Sequence, residues 1–165
     1  WDFLGLTFKV GPGVLCPRAD SEVVCETAIE LLQQMGKPEP RVLDLCAGTG
    51  CLGIGIRHFV PSASVTCVEK SPPYLTGAEM QALMPETAHE PALALDGGTD
   101  GLDFYRAIAA HYRDIVCPGG WLVFEIGCAQ RADVMEICRQ NGWQQVQARK
   151  DYGGNDRVVY AQRVK

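Results

Sequence analysis

Hydrophobic and polar positions along this chain alternate with two periods, one typical of strands and one typical of helices. The pattern predicts strands after position 40 at Arg41–Leu45, Ser64–Val68, Trp121–Ile126, Trp143–Arg149 and Arg157–Arg163. Helices are predicted between them, over residues 51–59, from Leu102 to Ile115, and near 130–140. This alternation indicates an α/β fold, with a doubly wound, mostly parallel sheet and helices on both faces. The last two strands follow each other directly and predict a C-terminal antiparallel pair.

The first 40 residues have a different organisation. Two short extended pieces, Leu6–Val10 and Val14–Cys16, surround a Gly-Pro-Gly turn. A helix follows, which Asp20 or Ser21 can cap and which Gly36 ends. Its apolar stripe consists of Val23, Val24, Thr27, Ala28, Leu31, Leu32 and Met35. We therefore predict a leading hairpin and helix ahead of the α/β domain.

Composition and charge argue against several classes of protein. The chain has 165 residues, of which 47% are hydrophobic and 21% charged, which suits one ordinary globular core. No apolar run reaches the roughly 20 residues that cross a bilayer. The first residues also lack the basic and apolar pattern of a signal peptide. The net charge of −5 and the absence of a basic stripe argue against direct contact with nucleic acid.

The chain is rich in cysteine, with eight residues of this type. No pair has the C-x-x-C spacing and no Cys/His group has the spacing of a zinc site, so we predict no metal centre. Cys46 and Cys67 lie inside apolar strand patterns, where a free cysteine behaves as a small hydrophobic residue. Reduced thiols in a core are typical of the cytosol, and we expect a cytoplasmic protein.

The strongest motif is a glycine-rich loop that follows the strand Arg41–Leu45 and opens into the helix 51–59. Gly48, Gly50 and Gly53 have the spacing G-x-G-x-x-G, which is the dinucleotide-binding pattern. Glycines let the backbone approach a ligand closely, and the helix N-terminus offers unpaired N–H groups.

Two acidic residues flank this loop. Asp44 ends the first strand, and Glu69 lies about twenty residues further on, where an acid that binds ribose belongs. A carboxylate at position 44 would repel a pyrophosphate but suits the ammonium group of S-adenosylmethionine (SAM). Glu69 would accept hydrogen bonds from both ribose hydroxyls. The loop therefore favours SAM, with a nicotinamide or flavin dinucleotide and a purely structural turn as the alternatives.

A second signal is the segment Pro72–Tyr74. Two prolines fix an extended backbone that has free carbonyls and no N–H groups, and the tyrosine adds an aromatic wall. Such a segment suits the binding of a planar group.

With these motifs the chain resembles the protein-glutamine methyltransferases that act on peptide-chain release factors. The resemblance covers most of the chain and rests on segments with matching residues: Val14–Glu22, Asp44–Gly50, Val68–Ser71, Pro72–Tyr74, His89–Pro91, Asp96–Gly98, Asp100–Leu102, Phe124–Gly127 with Gln130, and Asp151 with Arg157–Val159. The glycine loop alone would indicate only a superfamily. The combination with Pro-Pro-Tyr and the later Glu-Pro, Gly-Gly and Asp-Gly-Leu motifs is specific.

The resemblance implies a Rossmann-like SAM-dependent methyltransferase domain over residues 41–165, after a leading hairpin and helix over residues 1–40. The implied reaction moves a methyl group to the side-chain amide of the glutamine in a release factor's Gly-Gly-Gln motif. The implied cofactor-binding residues are Asp44, Cys46, Ala47, Gly48, Thr49, Gly50 and Glu69. The implied substrate-binding residues are Pro72, Pro73 and Tyr74, with Pro72 and Tyr74 as the catalytic ones.

The chain departs from the family pattern in three ways. The amino-terminal helical domain of the family is absent before Trp1, and Ser71 stands where the family's Asn-Pro-Pro-Tyr motif has its asparagine. Only two residues separate Glu69 from Pro72, although parallel strands need a crossover of at least a dozen. We therefore hypothesise a missing segment between Ser71 and Pro72, on the order of fifty residues at ~30 per βαβ unit.

Three alternatives stay open on the sequence. A DNA adenine methyltransferase shares the loop and a Pro-Pro-Tyr-type motif, although the pI near 5.2 argues against it. A ribosomal-protein glutamine methyltransferase is a near relative that the motifs do not separate. The third alternative is a non-catalytic SAM-binding fragment. For the favoured function we expect a monomer whose partner is the release factor.

Overall fold

The structure, a computed structural model, describes residues 1–9, 16–69 and 98–164. The chain divides into two compact units. The first comprises Trp1–Ala19 and Glu39–Phe104, and the second comprises Asp20–Pro38 and Tyr105–Lys165. The division therefore differs from the predicted boundary at residue 40, because the first helix belongs with the C-terminal part of the chain.

The chain begins with a small hairpin in the first unit. Strands β1 (Asp2–Phe3) and β2 (Leu6–Thr7) pair in an antiparallel register. The two turn residues, Leu4 and Gly5, have φ values of 49° and 74°, as a two-residue hairpin turn requires. Of the predicted extended piece, Leu6 and Thr7 are thus paired with residues that precede them, and the sequence pattern did not predict this pairing. Residues 10–15, including most of the second predicted piece, lie outside the described residues.

A parallel β–α–β unit forms the larger part of the described first unit. Strand β3 (Arg41–Leu45), helix α2 (Cys51–Phe59) and strand β4 (Ser64–Val68) have the bounds that the sequence pattern predicts. The two strands pair in parallel, with Asp44 opposite Cys67. This register brings the ends of both strands together at the edge where the glycine loop begins.

Helix α1 (Glu22–Met35) opens the second unit after a 3-10 turn at Ala19–Ser21. Ser21 is the N-cap residue but its side chain makes no capping hydrogen bond. The carboxylate of Asp20 is bound by Arg157 instead, at 3.0 Å. The helix ends as predicted at Gly36, whose φ of 60° lies in the left-handed region that favours glycine.

The second unit is built on a three-stranded antiparallel sheet with the order β5-β7-β6. Its strands are β5 (Trp121–Glu125), β6 (Gln144–Lys150) and β7 (Asp156–Gln162). Helix α4 (Arg131–Gln140) connects β5 to β6, and helix α3 (Asp103–His111) precedes β5. The predicted C-terminal antiparallel pair is confirmed. Helix α3 ends at His111, so the predicted extent to Ile115 was wrong; Ile115 is 67% exposed and lies outside the helix.

The core of the second unit comes from both faces of this sheet. Its buried apolar side chains include Val23, Val24, Leu31, Phe124, Ile126, Val134, Ile137, Trp143, Val158 and Val159. The Trp143 indole donates a hydrogen bond to the carbonyl oxygen of Ala109 at 2.9 Å, so its polar edge is satisfied inside the core. Burial of these side chains is the main source of stability of the unit.

All eight cysteines are free thiols, but they do not share one environment. Cys25, Cys51 and Cys138 are buried, as expected for core thiols. Cys67 is exposed and Cys46 is half-buried, so the prediction of core positions was wrong for Cys67. The reason is that β4, among the described residues, pairs only with β3 and exposes much of its surface. Among the residues that the structure describes, no helix is long and apolar enough to span a bilayer.

Candidate cofactor site

The glycine loop continues the pairing of the two parallel strands beyond their ends. The N–H groups of Cys46 and Ala47 both donate to the carbonyl oxygen of Val68, at 2.7 and 3.1 Å. Cys46 has a φ of 64°, which is uncommon for a residue with a side chain. Gly48 and Gly50 also have positive φ values, of 52° and 75°, which glycine adopts at little cost. The loop thus turns tightly from the strand into α2.

Asp44 supplies the cap that α2 lacks. The N-cap residue is Gly50, which has no side chain to accept a hydrogen bond from the first turn of the helix. The Oδ2 atom of Asp44 accepts one from the N–H of Gly53 at 3.0 Å, reaching from the preceding strand. The thiol of Cys67 lies 3.9 Å from the same oxygen. Burial raises the pKa of Asp44, against the hydrogen bond from Gly53, which lowers it.

Gly53 is a glycine because the helix and the strands approach each other closely there. A Cβ atom at this position would lie 2.5 Å from Sγ of Cys67 and 3.1 Å from Oδ2 of Asp44. It would also lie 3.2 Å from Cγ1 of Val65. The third glycine of the motif therefore serves helix–strand packing, whereas the first two shape the loop.

Glu69 lies at the end of β4, beside the loop. Its Oε2 atom accepts a hydrogen bond from the N–H of Gly48 at 2.7 Å. Two carboxylates, Asp44 and Glu69, therefore flank the loop, and the sequence from 44 to 53 contains no basic residue. Such a site disfavours a pyrophosphate and favours a ligand that offers positive charge and hydroxyl groups.

Cys46 is a thiol inside this acidic environment. Burial raises its pKa to about 11, and the carboxylates of Glu69 and Asp44 act in the same direction. The thiolate is the reactive form of cysteine, so Cys46 stays protonated and unreactive at neutral pH. Its part in the site is the conformation of its backbone.

The described structure thus brings seven predicted residues to one loop and its flanks: Asp44, Cys46, Ala47, Gly48, Thr49, Gly50 and Glu69. Pro72, Pro73 and Tyr74, together with Ser71, lie outside the described residues. Within residues 1–9, 16–69 and 98–164, no group of three or more His, Cys, Asp or Glu side chains could hold a metal ion. Sequence reasoning missed the link between Asp44 and Gly53; the third glycine of the motif was the signal for it.

Three comparisons with known proteins bear on this site. A release factor glutamine methyltransferase of Fusobacterium nucleatum is 32% identical over 206 residues, covering 99% of this chain and 58% of that protein. Another, of Geobacter sulfurreducens, is 33% identical over 199 residues, covering 96% of this chain and 69% of that protein. This chain belongs to the release factor glutamine methyltransferase family. It spans a little over half of the first relative and about two thirds of the second.

A solved structure gives the same family and confirms the fold class. The crystal structure of the release-factor-specific protein-(glutamine-N5) methyltransferase of Alicyclobacillus acidocaldarius is 30% identical, with a TM-score of 0.60. The match covers 96% of this chain and 100% of that one. The predicted Rossmann-like methyltransferase fold is therefore confirmed. No protein-family model matches the chain.

Proposed function

We propose that this family member transfers a methyl group from SAM to the side-chain amide nitrogen of the glutamine in a release factor's Gly-Gly-Gln motif. The observation that carries the proposal is the family relationship over nearly the whole chain, together with an acidic glycine loop of the geometry described above. The relatives favour a release factor as substrate over the ribosomal-protein and DNA alternatives.

The chemistry of the loop fits SAM. Asp44 supplies a carboxylate for the ammonium group, and its Oδ1 atom has no hydrogen-bond donor among the described residues. Glu69 supplies a carboxylate for the ribose hydroxyls, in exchange for its present hydrogen bond to Gly48. The remaining loop residues, Cys46–Gly50, offer backbone that lies close to the ligand. When bound, SAM supplies an activated methyl group on a sulfonium centre.

The protein's task in this reaction is to position a poor nucleophile. The lone pair of an amide nitrogen is delocalised, so the site must hold the amide in line with the methyl donor. In the proposed arrangement the carbonyl of Pro72 accepts one amide hydrogen, and Tyr74 packs beside the glutamine. A new N–C bond forms as the S–C bond breaks, and the nitrogen then gives up one proton to water. No side chain has to remove that proton before the attack.

The chain also lacks a segment that its relatives have, in our proposal between Ser71 and Pro72. The alignments extend over 206 and 199 residues, although this chain has only 165, which supports a deletion in this chain. The asparagine of the family motif would belong to that segment. Inserting the corresponding segment of the Geobacter sulfurreducens relative is expected to raise the methyl-transfer rate by orders of magnitude. An insertion that leaves the rate unchanged would contradict this part of the proposal.

The deciding experiment is the transfer of labelled methyl from SAM to a purified release factor. A release factor with Gln→Ala in its Gly-Gly-Gln motif is the matched control. Label in the wild-type factor alone would support both the substrate and the reaction. Tight SAM binding without transfer would favour the non-catalytic alternative. A cytoplasmic location and a monomeric state stay predictions alongside this function.

A further inference from the structure

An amine and a thiol meet on the surface of the second unit. The Nζ atom of Lys37 donates a hydrogen bond to the Sγ atom of Cys117 at 3.1 Å, and both residues are exposed. They lie 80 positions apart in the sequence, so only the fold brings them together. Sulfur is a weak hydrogen-bond acceptor, so the contact adds little stability. The chemical consequence is larger, because a nitrogen nucleophile lies beside a sulfur atom that oxidants can attack.

The turn that carries Cys117 has a restricted backbone. The N–H of Gly120 donates to the carbonyl oxygen of Cys117 at 2.8 Å, which closes a four-residue turn. Its central residues are Pro118 and Gly119, and Gly119 has a φ of 78°, a combination typical of a type II turn. Two main-chain hydrogen bonds with Arg163, of 2.6 and 2.9 Å, tie the turn to the residue that follows β7. The position of the thiol is therefore fixed by its own backbone.

The backbone of Lys37 is restricted from both sides. Gly36 ends α1 in the left-handed conformation, and its N–H donates to the carbonyl oxygen of Gln33 at 3.2 Å. Pro38 follows Lys37, and a residue before proline avoids the helical conformation. The contact thus joins two segments of limited freedom, which keeps the amine close to the thiol. Such proximity raises the rate of a reaction between two groups.

The surroundings of Cys117 set it apart from the other exposed thiols. Three cysteines are exposed: Cys67, Cys117 and Cys128. Partial desolvation, and then the Asp44 carboxylate, raise the pKa of Cys67, which favours its less reactive thiol form. Among the described residues, no amine contacts Cys128. Cys117 therefore combines exposure with an amine in contact.

We propose that Cys117 and Lys37 form a modification site, which hydrogen peroxide converts into a covalent S–N cross-link. In the first step the sulfur of Cys117 attacks one peroxide oxygen and the O–O bond breaks. The product is a sulfenic acid, and the thiol proton leaves with the second oxygen as water. Sulfur is oxidised in this step and peroxide is reduced.

The second step is a condensation and needs no further oxidant. The neutral amine of Lys37 attacks the sulfenic sulfur, an S–N bond forms and the S–O bond breaks. The hydroxyl group leaves as water with one hydrogen of the amine. Sulfenic acids condense with a nearby nitrogen in this way. The protein loses two hydrogen atoms in total, and the end of α1 becomes joined to the turn before β5. This inference does not rest on the proposed function.

The test treats the full chain with hydrogen peroxide in a mildly alkaline buffer and measures the intact mass, followed by peptide mapping after chymotrypsin digestion. We expect a loss of two hydrogen masses and a linked peptide pair that contains Lys37 and Cys117. Dithiothreitol should reverse both changes. The cross-link should disappear in Lys37→Gln, which keeps the thiol and removes the amine. Lys150→Gln is the matched control, because Lys150 lies at the end of β6 and its Nζ binds the carbonyl oxygen of Gly154 at 2.9 Å; this variant should cross-link like the wild type.

The peptide map separates this outcome from a disulfide, which loses the same mass. A link from Cys117 to another cysteine would overturn the inference. Wild-type protein that stops at the sulfenic acid of Cys117, or that is not oxidised at Cys117, would also overturn it. The same holds for a cross-link that persists in Lys37→Gln or is lost in Lys150→Gln. Cys128→Ser provides a second control, and an unchanged cross-link in that variant is expected.

Discussion

Substituting Asp44 in two ways separates its structural part from its part in cofactor binding. The side chain is 8% exposed, and its Oδ2 atom accepts the hydrogen bond from Gly53 at 3.0 Å. Asp44→Asn keeps an oxygen acceptor in that place and removes the charge. Asp44→Ala removes both, and leaves the Gly53 N–H in the first turn of α2 without an acceptor.

The expected changes in stability follow from this difference. A buried N–H without a partner costs about 1–3 kcal/mol, so Asp44→Ala should lower the free energy of unfolding by that amount. At roughly 2–4 °C per kcal/mol for a chain of this size, Tm should fall by several degrees. Because burial raises the pKa of Asp44, the folded state binds its proton more tightly than the unfolded state. Ionisation of Asp44 therefore lowers the stability of the folded state as pH rises from 3.8 through the pKa of the folded protein. Asparagine does not ionise, so Asp44→Asn should be at least as stable as the wild type at pH 7.

The affinity for SAM should depend on the charge of Asp44, whereas the stability depends on its capping oxygen. A hydrogen bond to a charged group contributes about 1.5–3 kcal/mol, so Asp44→Asn should weaken SAM binding by roughly 10- to 150-fold while the fold is retained. Chemical denaturation measures the first effect, and isothermal titration calorimetry with SAM measures the second. Unfolding of Asp44→Asn to the same extent as Asp44→Ala would refute the capping argument. Wild-type SAM affinity in a folded Asp44→Asn protein would refute the ammonium argument.

Three further predictions concern the same two units. Gly53→Ala should destabilise the protein by about 1 kcal/mol, although a change from glycine to alanine inside a helix usually stabilises a protein. Thermal unfolding should show that Cys67→Ala, added to this variant, restores most of the lost stability, and no restoration would argue against the contact with the thiol. Glu69→Gln keeps an acceptor oxygen but no charge, and should weaken SAM about ten-fold at unchanged Tm; wild-type affinity by calorimetry would contradict a ribose role. Burial raises the pKa of Asp151, but the hydrogen bonds from the Asn155 N–H and the Arg157 guanidinium outweigh this effect and hold the pKa below 3.8. The wild-type protein should therefore lose stability as pH falls below about 4, and denaturant titrations should show a smaller loss for Asp151→Asn.

Local patterns were sufficient for most of the regular elements. The bounds of β3, α2 and β4 agree with prediction because an apolar strand, a glycine loop and an amphipathic helix each leave a signal within a few residues. The end of α1 was equally clear, since Gly36 adopts the left-handed conformation. The hairpin at Asp2–Thr7 was not predicted, because its turn contains a leucine at positive φ.

The candidate site was partly predictable for the same reason. The G-x-G-x-x-G spacing, with Glu69 about twenty residues further on, indicated a nucleotide-type cofactor. The charge of Asp44 then favoured SAM. The spacing did not predict the hydrogen-bond partners of these two carboxylates. Asp44 caps α2 by accepting from Gly53, and Glu69 accepts from Gly48. The bond between Glu69 and Gly48, across 21 residues, depends on the register of two strands, and the bond between Asp44 and Gly53 depends on how closely α2 packs against β3.

The sequence by itself determined most of the elements, the acidic glycine loop and the family, because these depend on residue type and short-range order. Tertiary structure alone decided which contacts those residues make. It placed α1 with the C-terminal part of the chain, exposed Cys67, and brought Tyr105 and Arg157 to the end of β5. The contacts of Tyr105 with Glu125 and of Arg157 with Ile126 join residues 20 and 31 positions apart, and such pairs meet only once the strands and helices have packed.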